Sequence, residues 1–333
     1  MTAGLCYNFR HNENESKRRV TVLRKNATVR RGFFHSLWKY RVLTLMALPA
    51  VAFVFVFSYL PLPGIVLAFK NYTYDKGIFG SDWAGLNNFK FFFVSGAAAR
   101  VTVNTVLYNV AFTAVGMFLQ LTTAILLSEL SGRWFKKITQ SINLLPFFIS
   151  WVVVGAIVFG AFNYEFGAFN SLRAALGLSR VDVLNKAEYW PFILVAMNAW
   201  KGFGYGSVVY LSAITGIDQE IYEAAEIDGA SILRRIFSVT LPNLVPTVIL
   251  LLLLGLGGII RGDFGMFYNL TGNNPLLYDV TDIVDTFVYR SLMTSNNIGM
   301  STAAGVYQSA IGFVIVMTVN GIIRRVQPEY SLF

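Results

Sequence analysis

Residues 42–69 read VLTLMALPAVAFVFVFSYLPLPGIVLAF and contain no Asp, Glu, Lys or Arg. A helix needs about 20 apolar residues to cross the hydrocarbon core of a bilayer, and this stretch exceeds that length. The whole chain is 55% hydrophobic and 14% charged, whereas roughly a quarter of the residues in a soluble domain are charged. The stretch therefore predicts a membrane-spanning helix, with the bilayer as the solvent of the protein.

Five further stretches meet the same length criterion. The fourth span is interrupted only by Lys201, and the apolar part of the sixth begins near Ser301. None alternates with the period of two that is typical of an outer-membrane barrel strand. We predict an all-α membrane protein with six transmembrane helices. The predicted spans are Val42–Phe69, Val101–Ser128, Ile138–Tyr164, Tyr189–Ile217, Ile236–Ile260 and a sixth within Ser291–Ile323.

The distribution of Lys and Arg orients these helices, because loops rich in these residues stay on the cytoplasmic side. With the N-terminus inside, 17 of the 27 Lys and Arg residues fall in inner segments. We therefore predict that both termini are cytoplasmic. The net charge of +9 then reflects membrane topology, and no nucleic-acid partner is needed to explain it.

Three regions follow from this topology. We expect residues 1–41 to form a basic cytoplasmic tail that is partly disordered and contacts anionic lipid of the bilayer. Residues 42–323 form the transmembrane domain, and residues 324–333 form a cytoplasmic C-terminal tail.

Enzymatic chemistry is disfavoured by what the sequence lacks. The glycine-rich phosphate loop of nucleotide hydrolases is absent. The two histidines, His11 and His35, lie in or beside the basic tail, and Cys6 is the single cysteine. No His/Cys cluster suits a metal, and no Ser/His/Asp set suits a hydrolase. We therefore expect no catalytic residues, no metal and no cofactor bound by this chain.

The cytoplasmic loop between the fourth and fifth spans, residues 218–238, differs from the other loops. Residues 216–231 read GIDQEIYEAAEIDGAS. Glu220–Ile227 favours a helix with Asp218 as its N-cap, and Asp228-Gly229 is a turn signal that ends it. Small residues on one face of this helix would let another protein approach its backbone closely. From the residues alone, an ordinary amphipathic loop helix remains the alternative.

This loop resembles the EAA motif of permeases in bacterial binding-protein-dependent ABC importers. The matching residues are Glu223-Ala224-Ala225, then Asp228-Gly229-Ala230, then Leu241-Pro242. The resemblance implies that Glu223–Ala230 forms a coupling helix, which docks in a groove of a cytoplasmic ATPase. It also implies that the partner ATPase subunits, not this chain, bind ATP and Mg.

Other segments are similar to the LplB-type oligosaccharide permeases, over roughly residue 30 to the end. They imply a second, different permease as partner in a heterodimer, two ATPase subunits, an extracytoplasmic solute-binding protein and a saccharide as cargo. The implied location is the bacterial plasma (inner) membrane. The segments are AFKNY (68–72), GIFG (77–80), WAGLNNF (83–89), LPFFISWVV (145–153) and VDTFVYR (284–290).

A charge inside a span needs a partner or a watery cavity, because it costs about 2.5–3.5 kcal/mol on insertion scales. Lys201 therefore lies either on the cargo path or in a structural ion pair, with Asp263 or with an acid of the partner subunit. Aromatic faces and amides bind sugars, although they also serve helix packing. The candidate path residues are Asn104, Tyr108, Asn198, Trp200, Lys201, Tyr205, Tyr307 and Gln308.

The leading hypothesis is a permease subunit that forms half of the pathway of an ATP-driven importer. Its cargo is a sugar or oligosaccharide delivered by the binding protein. One alternative keeps the importer and changes the cargo to an amino acid, a peptide or phosphate. The other is a self-contained secondary transporter, which would not need the helix Glu223–Ala230.

Overall fold

The computed structural model describes residues 38–130 and 132–326, and the chain divides into two compact units after Pro63. The described part of the first unit, from residue 38 onward, contains the apolar helix α1 (Arg41–Val54), which continues through a π-helical turn at Phe55–Tyr59. The predicted tail 1–41 lies almost entirely outside the described residues, as does most of the predicted tail 324–333. A 3₁₀ helix spans Leu62–Phe69.

In the described part of the second unit, the regular secondary structure is helical apart from two short strands, β1 (Lys70–Asn71) and β2 (Asp82–Trp83), which pair antiparallel. This pair is absent from the all-α prediction, because two-residue strands leave no periodic signal in the sequence. The helices are α2 (Gly77–Gly80), α3 (Asn87–Val94), α4 (Ala97–Glu129), α5 (Arg133–Phe148), α6 (Trp151–Phe162), α7 (Ala168–Ala175), α8 (Trp190–Thr215), α9 (Gln219–Ile227), α10 (Ile232–Arg235), α11 (Leu241–Leu256), α12 (Phe264–Thr271), α13 (Tyr278–Thr281), α14 (Val284–Met293) and α15 (Ile298–Val326).

Within the described residues, four helical segments are long and apolar enough to cross a membrane. The bent pair α5–α6 makes a fifth if it counts as one span. The predicted fourth span corresponds to α8, which is 26 residues long but falls short in hydropathy, with Asn198 and Lys201 within it. The four segments are Arg41–Phe69, Ala97–Glu129, Ile232–Leu256 and Ile298–Arg325.

The predicted third span, Ile138–Tyr164, is divided between two helices instead of forming one straight helix. α5 and α6 meet at 93° across the extended residues Ile149 and Ser150. Pro146 lies in the last turn of α5 and has no N–H to continue a helical ladder. Ser150 begins α6 as its N-cap, since its side chain accepts a hydrogen bond from the Val153 amide at 3.4 Å.

Two glycines allow unusually close contacts between helix backbones. A Cβ added to Gly204 of α8 would lie 1.8 Å from the carbonyl oxygen of Asn143 in α5. A Cβ on Gly155 of α6 would lie 2.5 Å from the carbonyl oxygen of Asn269 in α12. α5 therefore packs tightly on α8, whereas α6 packs tightly on α12.

Among the described residues, the core consists of three hydrophobic clusters, and α4 contributes to all of them. Val101 belongs to a cluster with α14 and α15, and Tyr108 to one with α6, α8 and α12. Leu127, further along α4, packs with the end of α8 and the start of α11. α4 is therefore the central helix against which the others are arranged.

An ion-pair network fixes α14 to α4. The carboxylate of Asp282 is fully buried and accepts hydrogen bonds from both terminal nitrogens of Arg290, at 3.0 and 2.5 Å. Arg100 of α4 lies 3.8 Å from the same carboxylate. Burial lowers the pKa of Arg290, but the hydrogen bonds and charge of Asp282 outweigh it, so that this pKa lies above its ordinary value. The guanidinium also stacks 3.9 Å from the ring centre of Tyr278.

Candidate functional site

Lys201 points from α8 into the break between α5 and α6. Its Nζ donates hydrogen bonds to the carbonyl oxygens of Pro146, Phe147 and Ile149, at 3.3, 2.6 and 2.6 Å. The ammonium also lies 5.4 Å from the ring centre of Trp151. The lysine is therefore held by backbone oxygens and by an aromatic ring.

The proposed ion pair between Lys201 and Asp263 is not formed among the described residues. Asp263 instead accepts a hydrogen bond from Nε1 of Trp151 at 2.7 Å. Its other oxygen caps α12 by accepting from the Met266 amide at 3.0 Å. Trp151 thus stands between the cation and the carboxylate and contacts both.

These side chains line one cavity of about 530 Å³. Asn198 lies one helical turn before Lys201 and faces the same space, as do Trp151, Ser150 and Asp263. Aromatic faces, an amide and a few charged groups around an otherwise apolar space are typical of small-molecule sites. Trp151 and Ser150 were missed as cavity residues from the sequence, although Pro146 nearby signals a kink.

Two other candidate residues on α8 lie outside this lining. Tyr205 is 53% exposed and stacks on Phe147, with ring centres 4.4 Å apart, so that it touches the same break from one side. Trp200 faces a separate apolar groove between α4 and α8 that includes Phe203. The structure therefore brings together Asn198, Lys201 and, through Phe147, Tyr205.

The four remaining candidates take part in hydrogen bonds between elements. Asn104 donates to the carbonyl oxygen of Asp282 at 3.0 Å, and Tyr108 donates to that of Val280 at 2.9 Å. Tyr307 and Thr102 join α15 to α4 through their hydroxyls at 3.0 Å. Gln308 donates to the carbonyl oxygen of Ile260 at 2.9 Å and to the carboxylate of Asp285 at 3.1 Å. Their role in a cargo path stays a prediction.

A second candidate site is the segment around α9. Asp218 accepts a hydrogen bond from the Glu220 amide at 3.1 Å and caps the helix, as its sequence predicts. Gly229 has φ +75°, and its amide and that of Ala230 donate to the carbonyls of Glu226 and Ala225. This pair of bonds is a Schellman motif, in which glycine accommodates the left-handed residue.

One side of this segment is exposed to solvent. Glu223, Ala224, Asp228 and Gly229 are exposed, whereas Ala225 and Ala230 are half-buried. Ile227 is 87% exposed. A short helix that presents alanines and an exposed isoleucine beside carboxylates suits contact with another protein.

The opposite side of α9 is tied to the chain that follows it. The hydroxyls of Tyr222 and Thr240 lie 3.0 Å apart, and Thr240 is buried. Glu226 and Arg235 approach to 3.6 Å. Both contacts join α9 to the π-helical turn Ile236–Thr240 and the residue before it, and so to the start of α11.

Comparison with known proteins gives one consistent result. Residues 120–328 match the family described as "Binding-protein-dependent transport system inner membrane component". The chain is 33% identical to protein LplB of Bacillus subtilis, over 86% of this chain and 90% of LplB. It is 32% identical to the polygalacturonan/rhamnogalacturonan transport system permease protein YteP of the same organism, over 87% and 89%.

A solved structure agrees with these sequence matches. It is a crystal structure of a bacterial alginate ABC transporter in complex with an alginate pentasaccharide-bound periplasmic protein. One of its chains superposes with a TM-score of 0.78 at 30% identity, covering 88% of this chain and 98% of that one.

Proposed function

This chain belongs to the family of binding-protein-dependent transport system inner membrane components, and from that membership we propose that it imports a saccharide. It forms one half of the membrane pathway of an ATP-driven importer. The observation that carries the cargo class is the likeness, at 32% identity, to a permease named for polygalacturonan and rhamnogalacturonan. The alginate transporter, which is also named for a saccharide, adds support.

The cavity at the break between α5 and α6 is the proposed cargo site. Its volume of about 530 Å³ falls within the range of small-molecule pockets. The indole of Trp151 offers a flat apolar face to a sugar ring, and Asn198 offers an amide to its hydroxyls. The remaining candidates, Asn104, Tyr108, Trp200, Tyr205, Tyr307 and Gln308, are proposed only as secondary positions along the path.

The proposed topology has six spans with both termini in the cytoplasm of a bacterial cell, and the protein lies in the inner membrane. α8 is the fourth span, and its shortfall in hydropathy is explained by the cavity, since Asn198 and Lys201 face that space. The 17 of 27 Lys and Arg residues on the proposed inner side support this orientation.

The proposed partners are a second, homologous permease, two ATPase subunits that bind ATP and Mg, and an extracytoplasmic binding protein. Glu223–Ala230 docks in a groove of one ATPase subunit. The exposed side of α9 supports this assignment, because it leaves Glu223, Ala224 and Gly229 accessible. The opposite side of α9 also supports this assignment, because Tyr222 and Glu226 connect the docked helix to the start of α11.

The proposed mechanism is alternating access. Closure of the ATPase dimer on ATP moves α9, and its ties to Thr240 and Arg235 carry that movement into α11. The cavity then opens toward the binding protein and receives the saccharide. Hydrolysis by the ATPase subunits returns the bundle to the inward-open state and releases the cargo.

The test is to purify the tagged chain from mild-detergent membranes and to identify the proteins that come with it. We expect an ATPase, a second permease and a binding protein, and the binding protein can then be screened against saccharides, amino acids, peptides and phosphate. The assembled complex should transport the bound solute into liposomes only with ATP. A chain that purifies alone and transports without ATP would contradict the proposal.

A further inference from the structure

We propose that Lys201 is a positioning residue: its ammonium group holds the break between α5 and α6 in shape and so fixes one wall of the cargo cavity, without itself binding the cargo. This inference rests on the proposed function only in taking the cavity as the cargo site. The geometry that carries it lies entirely within α5, α6, α8 and α12.

The break creates carbonyl groups that need a donor. Where a helix ends, its last carbonyl oxygens lose the amide four residues further on. α5 ends at Phe148, and the chain then turns through 93° into α6. In a membrane-embedded bundle such oxygens must find a donor in the protein or in the water of a cavity, because lipid supplies none.

The ammonium of Lys201 has as many N–H donors as there are carbonyl oxygens around it at the break. It has three N–H donors, and three carbonyl oxygens, those of Pro146, Phe147 and Ile149, lie within 3.3 Å of it. All of its donors are therefore taken by the backbone. No N–H remains to donate to a carboxylate or hydroxyl of a bound saccharide.

The same lysine connects the break to α12. Its charge lies over the rings of Phe147 and Trp151, at 5.5 and 5.4 Å from the ring centres. The Trp151 indole in turn donates to Asp263, which caps α12. The chain of contacts therefore orients Trp151, the aromatic wall of the cavity.

A distance measurement tests the structural half of the proposal. In a Cys6→Ser background, spin labels on Phe135→Cys of α5 and Phe166→Cys beyond α6 report the angle between the two helices, since both positions are exposed. In the purified complex in lipid nanodiscs, Lys201→Met should shift and broaden the distance distribution. Lys186→Met, which removes an exposed lysine from a loop, should leave it unchanged. An unaltered distribution in Lys201→Met would overturn the proposal.

Transport kinetics test the functional half. Lys201→Met should raise KM roughly tenfold, because the displaced cavity wall loses contacts with the cargo, and tenfold corresponds to about 1.4 kcal/mol of binding. The increase should be similar for neutral and for carboxylate-bearing saccharides. Lys201→Arg, which keeps the charge and the donors, should recover most of the affinity. A defect confined to carboxylate-bearing saccharides would overturn the proposal and make Lys201 a receptor for the cargo.

Different results would contradict the proposed function and the positioning role of Lys201. If the wild-type complex transports no saccharide, the proposed function is wrong, and the distance measurement still decides whether Lys201 holds the break. If saccharide transport is normal in Lys201→Met, the proposed function stands and the positioning role is wrong.

Discussion

The hydroxyl oxygen of Tyr222 in α9 lies 3.0 Å from that of Thr240, which is buried in the π-helical turn leading into α11. π-helical turns inside longer helices are frequent at functional sites. The bond therefore joins the helix proposed to meet the ATPase to a local irregularity in a membrane span.

Tyr222→Phe should weaken coupling. A typical hydrogen bond contributes about 0.5–1.5 kcal/mol net, so that uptake per ATP hydrolysed should fall roughly two- to tenfold. Uptake and ATPase rates of the reconstituted complex measure this ratio. Tyr164→Phe, at an exposed position in the loop after α6, is the matched control and should leave the ratio unchanged. A wild-type ratio in Tyr222→Phe would contradict the role given to this bond.

Gly229→Ala should also uncouple transport while membrane insertion survives. Space is not the obstacle, since nothing lies within 4 Å of a Cβ built there. The obstacle is the φ of +75°, which costs about 1 kcal/mol for a residue with a Cβ. Gly229→Asn, which tolerates this conformation better, should retain more uptake. Gly305→Ala, equally open but without a positive φ, is the control. Equal uptake in all three variants would be evidence against this explanation.

Glu223→Gln should reduce association with the ATPase and leave the stability of the chain unchanged. The side chain is exposed, and surface substitutions usually stay within about 0.5 kcal/mol. Co-purification of the ATPase with each variant measures the effect. Glu220→Gln, on the first turn of the same helix, should behave as the wild type. Undiminished co-purification and normal uptake in Glu223→Gln would remove this residue from the docking surface.

Gly204→Ala should destabilise the bundle. The added methyl would lie 1.8 Å from the carbonyl oxygen of Asn143, so that α5 and α8 must separate. Overpacking of this kind costs about 1–3 kcal/mol. Thermal unfolding in detergent should show a lower midpoint than in Gly202→Ala, where nothing lies within 4 Å. Equal midpoints would mean that the two helices do not approach as closely as described.

Asp282→Asn should destabilise the protein more than Asp279→Asn. The Asp282 carboxylate is fully buried between Arg290 and Arg100, whereas the Asp279 side chain is 85% exposed. Removing one partner of a buried pair costs about 3–5 kcal/mol, because the remaining charge is left without compensation. The same unfolding assay compares the two variants, and similar midpoints would exclude a stabilising role for the buried pair.

Much of this architecture follows from patterns that act locally. A charge-free run such as Val42–Phe69 predicts a helix from its length alone, and the structure has a helical segment at Arg41–Phe69. The ends of α9 were also predictable, since Asp218 and Gly229 act on amides and carbonyls a few residues away.

Other features depend on groups that no pattern in the sequence reveals. Pro146 predicts a kink but not its angle of 93°, because the neighbours on which α5 and α6 pack, α8 and α12, are distant in the sequence. The partners of Lys201 are backbone carbonyls, which every residue possesses and which no sequence pattern marks. The sequence therefore suggests an acid such as Asp263 as the partner of the lysine. α12 and α14 are too short for their periodicity to stand out from the surrounding loops.

The close approaches of Gly204 to Asn143 and of Gly155 to Asn269 assign the two halves of the broken span to different neighbours. α5 must move with α8, and α8 leads into α9 through the short turn at residues 216–218. α6 must move with α12. In the proposed cycle, a push on α9 therefore reaches α5 directly and α6 only across the bend. Because Lys201 holds this bend in shape, Ile149 and Ser150 should act as a rigid corner that passes the movement of α5 on to α6.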